Sequence, residues 1–416
     1  MVLTSTDRRM GRSQNQIKFL LVALLVLTPQ LYAQDVQIDQ IVTAHMNVSK
    51  IPGLGLGILH GNKIAYLKGY GKEHIALRRD VDPNLTRFRW ASISKTLVGI
   101  LAVKAHQRGY LDLDADIRTY YPDYILPSTY MDHGNPVVLP PSTHVTLRQL
   151  LSHTGGMQHY SNGKSSPTPP YQLTNNPLAN TGMEWALKYW VGNPLVSFPG
   201  DSYRYSSPSF NLAGVVLEKI LGESFANLTQ HWIASPAKLT TLRPDTLWDM
   251  APHRAEGYIA VGTNFVLDAD NDVSWKLAAG GFISTIEDLS RYAVAVMGED
   301  LLTPAEKTEL WTRTKLNNGN RISYGVGWNV YTTVDGHKKV SHNGSQEKAR
   351  SRLNLYPEEG LGFAILTNAG HDVSLSALAK QLEDTVRERL ASGEAPIQEN
   401  PEAISSRDVV GSQLRG

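Results

Sequence analysis

Residues 88–97 read Phe-Arg-Trp-Ala-Ser-Ile-Ser-Lys-Thr-Leu, and the spacing of the apolar residues changes at Ser92. From here the apolar residues recur at the interval of an α-helix, and Gly109 stands where such a helix would end. These apolar residues are Ile93, Leu97, Ile100, Leu101 and Ala105. Ser92 and Lys95 are three residues apart and therefore share one face of the predicted amphipathic helix. A lysine that is partly desolvated there can lose its proton near neutral pH and activate the serine hydroxyl.

The Ser-x-x-Lys spacing alone is a weak signal, because it begins at Ser92, Ser161, Ser235 and Ser345. Ser161 lies in a stretch rich in proline and serine, Ser235 precedes a proline, and Ser345 begins a charged stretch between two predicted strands. Ser92 is the one of the four that opens a helical pattern. The alternative is that Ser92 is a helix N-cap and Lys95 is a solvated lysine. Spacing alone favours this alternative.

Composition excludes several classes of protein. The 416 residues include 40 Lys and Arg against 39 Asp and Glu, and this balance argues against a broad attraction to nucleic acid or anionic membranes. Hydrophobic residues make up 41% of the chain, which is enough for a large core. The chain has no cysteine, which excludes disulfides, thiolate nucleophiles and cysteine-bearing zinc sites. The nucleophile-elbow motif Gly-x-Ser-x-Gly and the zincin motif His-Glu-x-x-His are also missing from the sequence.

Residues 1–33 are typical of a secretory signal peptide. A basic segment precedes the apolar run Phe19–Leu27, and the small residue Ala33 marks the expected cleavage site. This run is too short to cross the ~30 Å of bilayer hydrocarbon, so we expect export to the periplasm or the medium and no stable membrane span after cleavage. An anchor or a transit peptide is the alternative. Translation from Met10 would give a signal of more ordinary length.

Strand-like patterns stand at both ends of the chain, and helical patterns lie between them. Residues 54–59 and 64–68 flank His60-Gly-Asn-Lys63, which predicts a β-hairpin. The later strand-like runs are 322–331, 338–342, 351–356 and 361–367, before a predicted helix from about Ser374 to Leu390. This order of strand-like and helical patterns along the chain predicts an α/β (α+β) fold. In it, one antiparallel sheet is built from both chain ends beside a mostly helical domain.

The predicted boundaries follow from these patterns. Residues 34–91 and 275–390 form the predicted sheet domain, and residues 92–274 form the mostly helical domain. Residues 391–416 are polar and lack periodicity, which predicts a disordered tail. Residues 161–180 hold several prolines among Ser, Asn and Thr, which predicts an exposed loop.

Ala91-Ser-Ile-Ser-Lys-Thr96 resembles the nucleophile motif of the serine β-lactamase-related superfamily, which includes class C β-lactamases, D-aminopeptidases and family VIII esterases. Further motifs in the family's order are Pro52–Ile58, Lys68–Gly71, Leu150–Gly156, Phe198–Gly200, Gly280–Thr285, Gly325–Trp328 and His342–Gly344. The similarity runs from about residue 37 to 390. Stretches around 90–125, 275–297 and 324–329 are most similar to the mitochondrial serine β-lactamase-like protein and its bacterial relatives. The resemblance implies a β-lactamase/transpeptidase-like fold and a covalent acyl-enzyme on Ser92, with Lys95 assisting.

The family's second element is Tyr-x-Asn, whose tyrosine acts as the general base or assists it. The literal string occurs at Tyr160-Ser-Asn162, but the spacing after Phe198–Gly200 and the helical pattern that follows favour Tyr205. A tyrosine is a poor base until a nearby cation favours its phenolate, and Lys95 could be that cation. The resemblance places Ser207 where the family has the asparagine that orients a substrate amide.

The third element, Lys-Thr-Gly or a variant in the family, reads His342-Asn-Gly344 in this chain. The resemblance implies that His342 and Gly344 border the substrate and that the backbone N–H groups of Ser92 and Ser345 form the oxyanion hole. The alternative for His342 is a hydrogen-bonded histidine of the surface or core. Histidine in place of lysine removes a permanent cation that could hold a substrate carboxylate, which disfavours penicillin hydrolysis. Lys348 or Arg350 could supply that contact instead.

Two further groups of residues have simpler interpretations. His153 and His159 could suggest a metal pair, but no carboxylate stands at ligand spacing and the superfamily uses no metal, so we expect neither a metal nor a cofactor. Trp185, Trp190 and Trp275 could line a cleft, although packing in the core is the favoured expectation for each.

The sequence therefore predicts an exported serine hydrolase that cleaves an amide or ester in a small molecule or peptide. Peptides, D-amino-acid amides and small esters rank above β-lactams. The alternatives are a true class C-type β-lactamase and a non-catalytic binding or scaffold protein of the same fold.

Overall fold

A computed structural model describes residues 35–159, 182–188, 190, 193–246, 252–268 and 272–397. The predicted signal peptide, the predicted loop at 161–180, Tyr160 and residues 398–416 of the predicted tail lie outside these residues. In the part of the chain that is described, no helix combines the length and the apolar character needed to cross a membrane.

The helices are α1 Val36–Ser49, α2 Lys95–Gln107, α3 Leu147–Leu151, α4 Met183–Leu187, α5 Ser207–Leu221, α6 Phe225–Thr229, α7 Leu277–Gly280, α8 Ile286–Met297, α9 Pro304–Trp311 and α10 Leu375–Ala391. The strands are β1 Gly53–His60, β2 Lys63–His74, β3 Arg79–Asp80, β4 Phe88–Arg89, β5 Thr129–Asp132, β6 Asn135–Val138, β7 Arg243–Pro244, β8 Tyr258–Val261, β9 Asn264–Leu267, β10 Phe282–Ser284, β11 Asn329–Thr332, β12 Lys338–Gln346, β13 Ala349–Tyr356 and β14 Leu361–Thr367.

The main sheet draws its strands from both chain ends, as predicted. Its order is β11-β12-β13-β14-β1-β2-β3, and neighbouring strands are antiparallel. The first strand therefore pairs with the last one, with Leu54 opposite Thr367. The smaller sheet β4-β10-β7 lies at the start of the segment that carries Ser92. The predicted fold class is confirmed.

The β1–β2 hairpin forms where the sequence predicts it. Gly61 and Asn62 both have φ of 58°, the left-handed conformation that a two-residue hairpin turn needs at both positions. The alternating glycines of β1 have a packing role, because a Cβ on Gly57 would stand 2.0 Å from Ser290 Oγ of α8. Helix α8 therefore packs directly on one face of β1, while Leu56 and Ile58 join the core that α1 and α10 cover.

Two predicted elements differ from the observed ones. The strand expected at 322–331 begins only at Asn329, because Gly327 takes a φ of 80° that a strand does not allow. The strand expected to end at residue 342 continues to Gln346, where it pairs with β13. The remaining charged residues 347–348 therefore form the turn of a hairpin.

The segment around Ser92 also departs from its prediction. Ser92 lies in a short 3₁₀ turn, Ala91–Ser94, and helix α2 begins only at Lys95. Every residue of α2 from Lys95 to Ala105 is buried, so the helix is central to the core and not amphipathic. The apolar spacing correctly predicted a helix, but it did not show that the polar positions between are covered as well.

Residues 391–397 of the predicted tail are described. The Arg389 guanidinium donates to the carbonyl oxygen of Pro396 and to the carboxylate of Asp35, and Ile397 is buried in the core between α1 and α10. This ion pair joins the beginning of α1 to the end of α10.

Candidate active site

A pocket of about 510 Å³ opens beside the end of β12, and most of the predicted site residues meet there. Ser92, Tyr205, Ser207, His342 and Ser345 all line it. Lys95 lies beneath them and is fully buried. We call Ser92, Lys95, Tyr205 and Ser207 the floor of the pocket.

Backbone geometry fixes the position of Ser92. The Trp90 N–H donates to the Phe282 carbonyl oxygen at 2.8 Å, and its indole N–H donates to Ser284 Oγ at 2.7 Å, so the residues before Ser92 are fastened to β10. Ala91 then takes a left-handed φ of 47°, which is costly for a residue with a side chain. The chain turns sharply at this point and leaves Ser92 at the pocket wall.

Lys95 is the most perturbed group of the floor. Its Nζ lies 3.0 Å from Ser92 Oγ, 3.0 Å from Ser207 Oγ and 2.7 Å from the Ala279 carbonyl oxygen. Within the described ranges no carboxylate lies at ion-pair distance, and burial lowers the pKa of Lys95 well below its usual value. The site therefore favours the neutral amine.

A neutral amine has two hydrogens and one lone pair, which matches the three neighbours of Lys95. One N–H must donate to the Ala279 carbonyl oxygen, because that oxygen can only accept. The other N–H can donate to Ser207 Oγ, and the lone pair can then accept the hydroxyl proton of Ser92. With this assignment of hydrogens the Ser92 hydroxyl donates to Lys95 Nζ.

Tyr205 completes the floor as a hydroxyl, not as a phenolate. Its O–H donates to Ser92 Oγ at 3.0 Å. Burial raises the pKa of Tyr205 to about 12, although hydrogen bonds with Ser92 and Ser207 oppose the shift. This reverses the charge distribution expected from the sequence, in which a cationic Lys95 stabilises a phenolate, because burial disfavours both charges.

Ser207 reaches the floor from the first turn of helix α5. The side chain of Ser206 accepts from the N–H of Ser209 and caps the helix, so Ser207 is its first residue. The N–H of Ser207 donates to His159 Nδ1 at 3.2 Å. The Ser207 hydroxyl contacts Lys95 Nζ. Ser207, at the family's asparagine position, therefore joins the hydrogen bonds that link Lys95, Ser92 and Tyr205, which we call the proton network.

His342 lies at one end of the pocket as a neutral, fully hydrogen-bonded side chain. Its Nδ1 is 2.8 Å from the Asn343 carbonyl oxygen and therefore carries the proton, which leaves Nε2 to accept from the Tyr324 hydroxyl at 2.9 Å. Burial lowers the pKa of His342 to about 3. The loss of a permanent cation at this position, expected from the sequence, agrees with these contacts.

Gly344 allows β12 to lie directly against the turn that carries Ser92. A Cβ at this position would stand 2.6 Å from the Trp90 carbonyl oxygen, 2.8 Å from Ala91 Cβ and 2.2 Å from Ser351 Oγ. Ser345 follows in the strand and lines the pocket with Ser92. This close packing explains why glycine, the smallest residue, stands between Ser351 of β13 and the turn that carries Ser92.

Comparisons with known proteins identify the family of this chain. A family model described as Beta-lactamase matches residues 38–386. The chain belongs to the beta-lactamase family. The members of this family are serine hydrolases, and the resemblance identified from the motifs is thereby confirmed.

Individual relatives of this beta-lactamase family member are distant. Protein flp of Staphylococcus aureus (strain N315) is 24% identical over 340 residues, which are 80% of this chain and 62% of flp. The chain thus spans less than two thirds of this relative. An octameric penicillin-binding protein homologue from Pyrococcus abyssi superposes with a TM-score of 0.68 at 22% identity, over 89% of this chain and 80% of that one. A D-stereospecific amidohydrolase from Streptomyces sp. superposes with a TM-score of 0.63 at 19% identity, over 83% of this chain and 98% of that one.

The two candidate metal-binding histidines support the floor of this beta-lactamase family site. His153 Nδ1 accepts the N–H of Ser206 at 3.0 Å, and its ring packs on that of Tyr205 with centroids 4.2 Å apart. His159 Nδ1 accepts from Ser207, and the ring of His159 meets Tyr205 edge-on. Burial lowers the pKa of both histidines, to about 4 for His159. Among the described residues no group of three or more potential ligands could hold a metal ion.

The predicted anion contacts at Lys348 and Arg350 are wrong. The Lys348 ammonium donates to the Glu256 carboxylate at 2.7 Å and is almost fully buried. The Arg350 guanidinium donates to the carbonyl oxygens of Gln346, Ala349 and Gly370. Neither residue is among those that line the described pocket.

Two charged residues at the other end of the pocket were not predicted from the sequence. Lys276 and Glu347 line it, and their Nζ and carboxylate oxygen are 3.9 Å apart. No motif marks either residue, since they come from separate parts of the chain. Trp190 and Trp275 are buried and stack at 5.8 Å, which confirms the packing expected for them, whereas Trp185 packs beside them and is only partly buried.

Proposed function

We propose that this beta-lactamase family member is a serine hydrolase that cleaves an amide or ester bond through an acyl-enzyme on Ser92. The proposal rests on one observation: Lys95 Nζ and Tyr205 Oη both lie 3.0 Å from Ser92 Oγ. A serine hydroxyl between a neutral buried amine and a second hydroxyl can be activated as a nucleophile.

In the proposed reaction Lys95 takes the hydroxyl proton while Ser92 Oγ forms a bond to the substrate carbonyl carbon. The carbonyl oxygen becomes an oxyanion, for which the N–H groups of Ser92 and Ser345 are the proposed donors. The C–N or C–O bond of the substrate then breaks, and the leaving nitrogen or oxygen takes a proton from the Lys95–Tyr205 network. A water molecule attacks the acyl carbon and transfers a proton to the network, and the acid leaves as Ser92 recovers its hydrogen.

Burial supports Lys95 as the base in place of Tyr205. Burial lowers the pKa of Lys95 well below its usual value and so favours the neutral amine that a general base requires. A tyrosine with a pKa of about 12 remains protonated and acts as a donor and relay. The ammonium that forms on Lys95 during attack also lies close to the developing oxyanion, which it stabilises.

The neutral His342 supports the ranking of substrates. A β-lactam carries a carboxylate that a cation at this end of the pocket would hold, and His342 with a pKa of about 3 supplies no charge. We therefore place small esters and amides above β-lactams. The name of the Streptomyces neighbour, a D-stereospecific amidohydrolase, adds support for amides.

Labelling with an activity probe tests the proposal. We expect intact-mass spectrometry to show one fluorophosphonate adduct on the wild type and none on Ser92→Ala. Ser235→Ala is the matched control, because exposed Ser235 also begins a Ser-x-x-Lys sequence and its loss should leave labelling intact. A second, smaller sulfonyl fluoride probe removes steric exclusion as an explanation. Folded wild type that reacts with neither probe, or a Ser92→Ala variant that still reacts, would contradict the acyl-enzyme.

A substrate panel distinguishes the alternatives. We expect turnover of 4-nitrophenyl esters or D-amino-acid 4-nitroanilides to exceed that of nitrocefin in kcat/KM. The opposite order would favour a true β-lactamase, and labelling without turnover of any substrate would favour a binding protein. We also propose that the protein works after export, on the signal-like residues 1–33, and N-terminal sequencing of the mature protein tests this.

A further inference from the structure

The end of the pocket opposite His342 carries a buried lysine. Lys276 ends the turn Ser274–Lys276 just before α7, and Glu347 follows β12 directly. The side chain of Lys276 is 13% exposed and that of Glu347 is 45% exposed. We call Lys276, Gln346 and Glu347 the mouth of the pocket. Among the described residues that line the pocket, Lys276 is the only lysine or arginine.

The ion pair at the mouth leaves room for competition. The Lys276 ammonium and the Glu347 carboxylate are 3.9 Å apart, which is ion-pair distance but too long for a hydrogen bond. A carboxylate at hydrogen-bond distance would interact more strongly with the ammonium, because charge-assisted hydrogen bonds are short and strong. Glu347 is exposed enough to turn towards solvent when another anion arrives.

The proton network shows which part of a substrate would reach the mouth. The Tyr205 ring packs on His153, the His153 ring lies 4.8 Å from that of Tyr324, and the Tyr324 hydroxyl bonds His342. From this chain of contacts we infer that the proposed proton donor lies on the His342 side of Ser345. A leaving group that takes its proton from this donor departs on that side, and the acyl group points towards Gln346 and Lys276.

We propose that Lys276 binds an anionic group on the acyl part of the substrate. The preferred substrates are then esters or amides whose acyl chain ends in a free carboxylate, such as half-esters of dicarboxylic acids. This inference rests on the proposed hydrolase function for its assignment of sides. The mouth supplies the positive charge that His342 does not, at the opposite end of the site.

Matched pairs of substrates that differ in one charge test the proposal. Mono-4-nitrophenyl adipate and 4-nitrophenyl methyl adipate place or remove a carboxylate on the acyl side. The pair 3-acetoxybenzoate and 3-acetoxybenzamide does the same on the leaving-group side. We expect Lys276→Met to lower the anionic-to-neutral ratio of kcat/KM at least tenfold for the adipates and to leave the acetoxy ratio within twofold. Glu347→Gln should raise the adipate ratio several-fold, because it removes the competing carboxylate.

Lys380→Met is the control for loss of one positive charge, since Lys380 is exposed on α10 and pairs with Asp384. It should leave both ratios unchanged. An adipate ratio that Lys276→Met does not alter would overturn the proposal, and so would a loss confined to the acetoxy pair.

Binding to Ser92→Ala separates this inference from the hydrolase proposal. Calorimetry with the two adipates measures recognition without turnover, and Lys276→Met added to Ser92→Ala should weaken the monoester selectively. Selective binding in a protein that hydrolyses neither ester would refute the proposed function and keep the anion site. Hydrolysis of both esters with equal binding would refute the anion site alone.

Discussion

Two lysines serve the same pocket in opposite surroundings. At the floor, Lys95 is fully buried among two hydroxyls and a carbonyl oxygen, and its pKa lies well below the usual value. At the mouth, Lys276 is nearly as buried but faces Glu347, and its pKa is lowered only to about 8. Burial disfavours both ammonium groups, and the nearby carboxylate restores part of the charge at the mouth. One residue type can therefore serve as a base in one place and as an anion-binding cation in the other.

The largest effect should come from changing the amine at the floor. Lys95→Met removes the proposed base, and Lys95→Arg keeps a cation that does not lose its proton near neutral pH. We expect both to lower kcat for a 4-nitrophenyl ester by about 10³-fold, within the range that general bases contribute. Lys276→Arg, which preserves the charge at the mouth, should keep most of the activity. If Lys95→Arg retained a tenth of wild-type kcat, Lys95 would not be the base.

Gly344→Ala should push β12 away from the floor of the pocket. The added Cβ would clash with backbone at Trp90, so β12 must move away from the turn that carries Ser92. We expect kcat/KM to fall about 10²-fold, a loss of the size seen when oxyanion donors are misplaced. Gly360→Ala in the β13–β14 turn is a control glycine at a distance from the pocket. Circular dichroism distinguishes a displaced strand from an unfolded protein, and full activity in folded Gly344→Ala would contradict the close packing.

The sequence predicted the floor better than the mouth because the floor carries motifs that resemble those of a known family. The spacing of Ser92 and Lys95 alone favoured a helix N-cap, and the resemblance selected Ser92 as the nucleophile. The spacing after Phe198–Gly200 and the helical pattern that follows then favoured Tyr205 over Tyr160. Lys276 meets Glu347 only through the fold, so no spacing could reveal the pair. Lys348 was considered as an anion contact because a charged run follows Gly344, and that run does not show that β12 continues to Gln346.

The fold itself was predictable where side-chain periodicity and turn chemistry agree. The Gly61-Asn62 turn and the helix after Ser374 appear within one residue of their predicted positions. Helix α2 was wrongly expected to expose one face. Its burial depends on the elements packed around it, and periodicity carries no information about these neighbours.

Raising the pH should weaken anion recognition at the mouth and leave the floor ready to react. Lys276 is charged below a pKa of about 8 and neutral above it, so the adipate preference should be full near pH 6.5 and fall about tenfold by pH 9.5. The charged or titratable groups that act on Lys276 are Glu347, Arg89, Lys95, Asp245 and His159. The anionic-to-neutral ratio of kcat/KM measures the effect and cancels the titration of Lys95. A ratio that stays constant across this range would contradict the assignment to Lys276.

Acid should destabilise the folded protein through His342, an effect on stability and not on substrate preference. The pKa of His342 is about 3 in the folded protein and near 6.5 in the unfolded chain, so the unfolded chain takes up the proton first as the pH falls. Stability is therefore lost between pH 6.5 and about 3, by up to about 1.4 kcal/mol per pH unit. Urea unfolding should show a shallower loss for His342→Gln than for the wild type. Equal slopes for the two proteins would mean that His342 does not titrate as described.

The pairing of β1 with β14 has a consequence for the order in which the molecule becomes active. The nucleophile turn and α2 are synthesised in the first third of the chain, whereas β12, which forms the opposite wall of the pocket, comes near the end. The sheet cannot close until β14 is present to join β12 and β13 to β1, and such long-range pairings form slowly. A nascent or truncated chain therefore carries the serine without the wall that would hold a substrate against it. Ser92 therefore cannot act on a held substrate until the strands up to β14 have been synthesised, and activity indicates a chain that includes them.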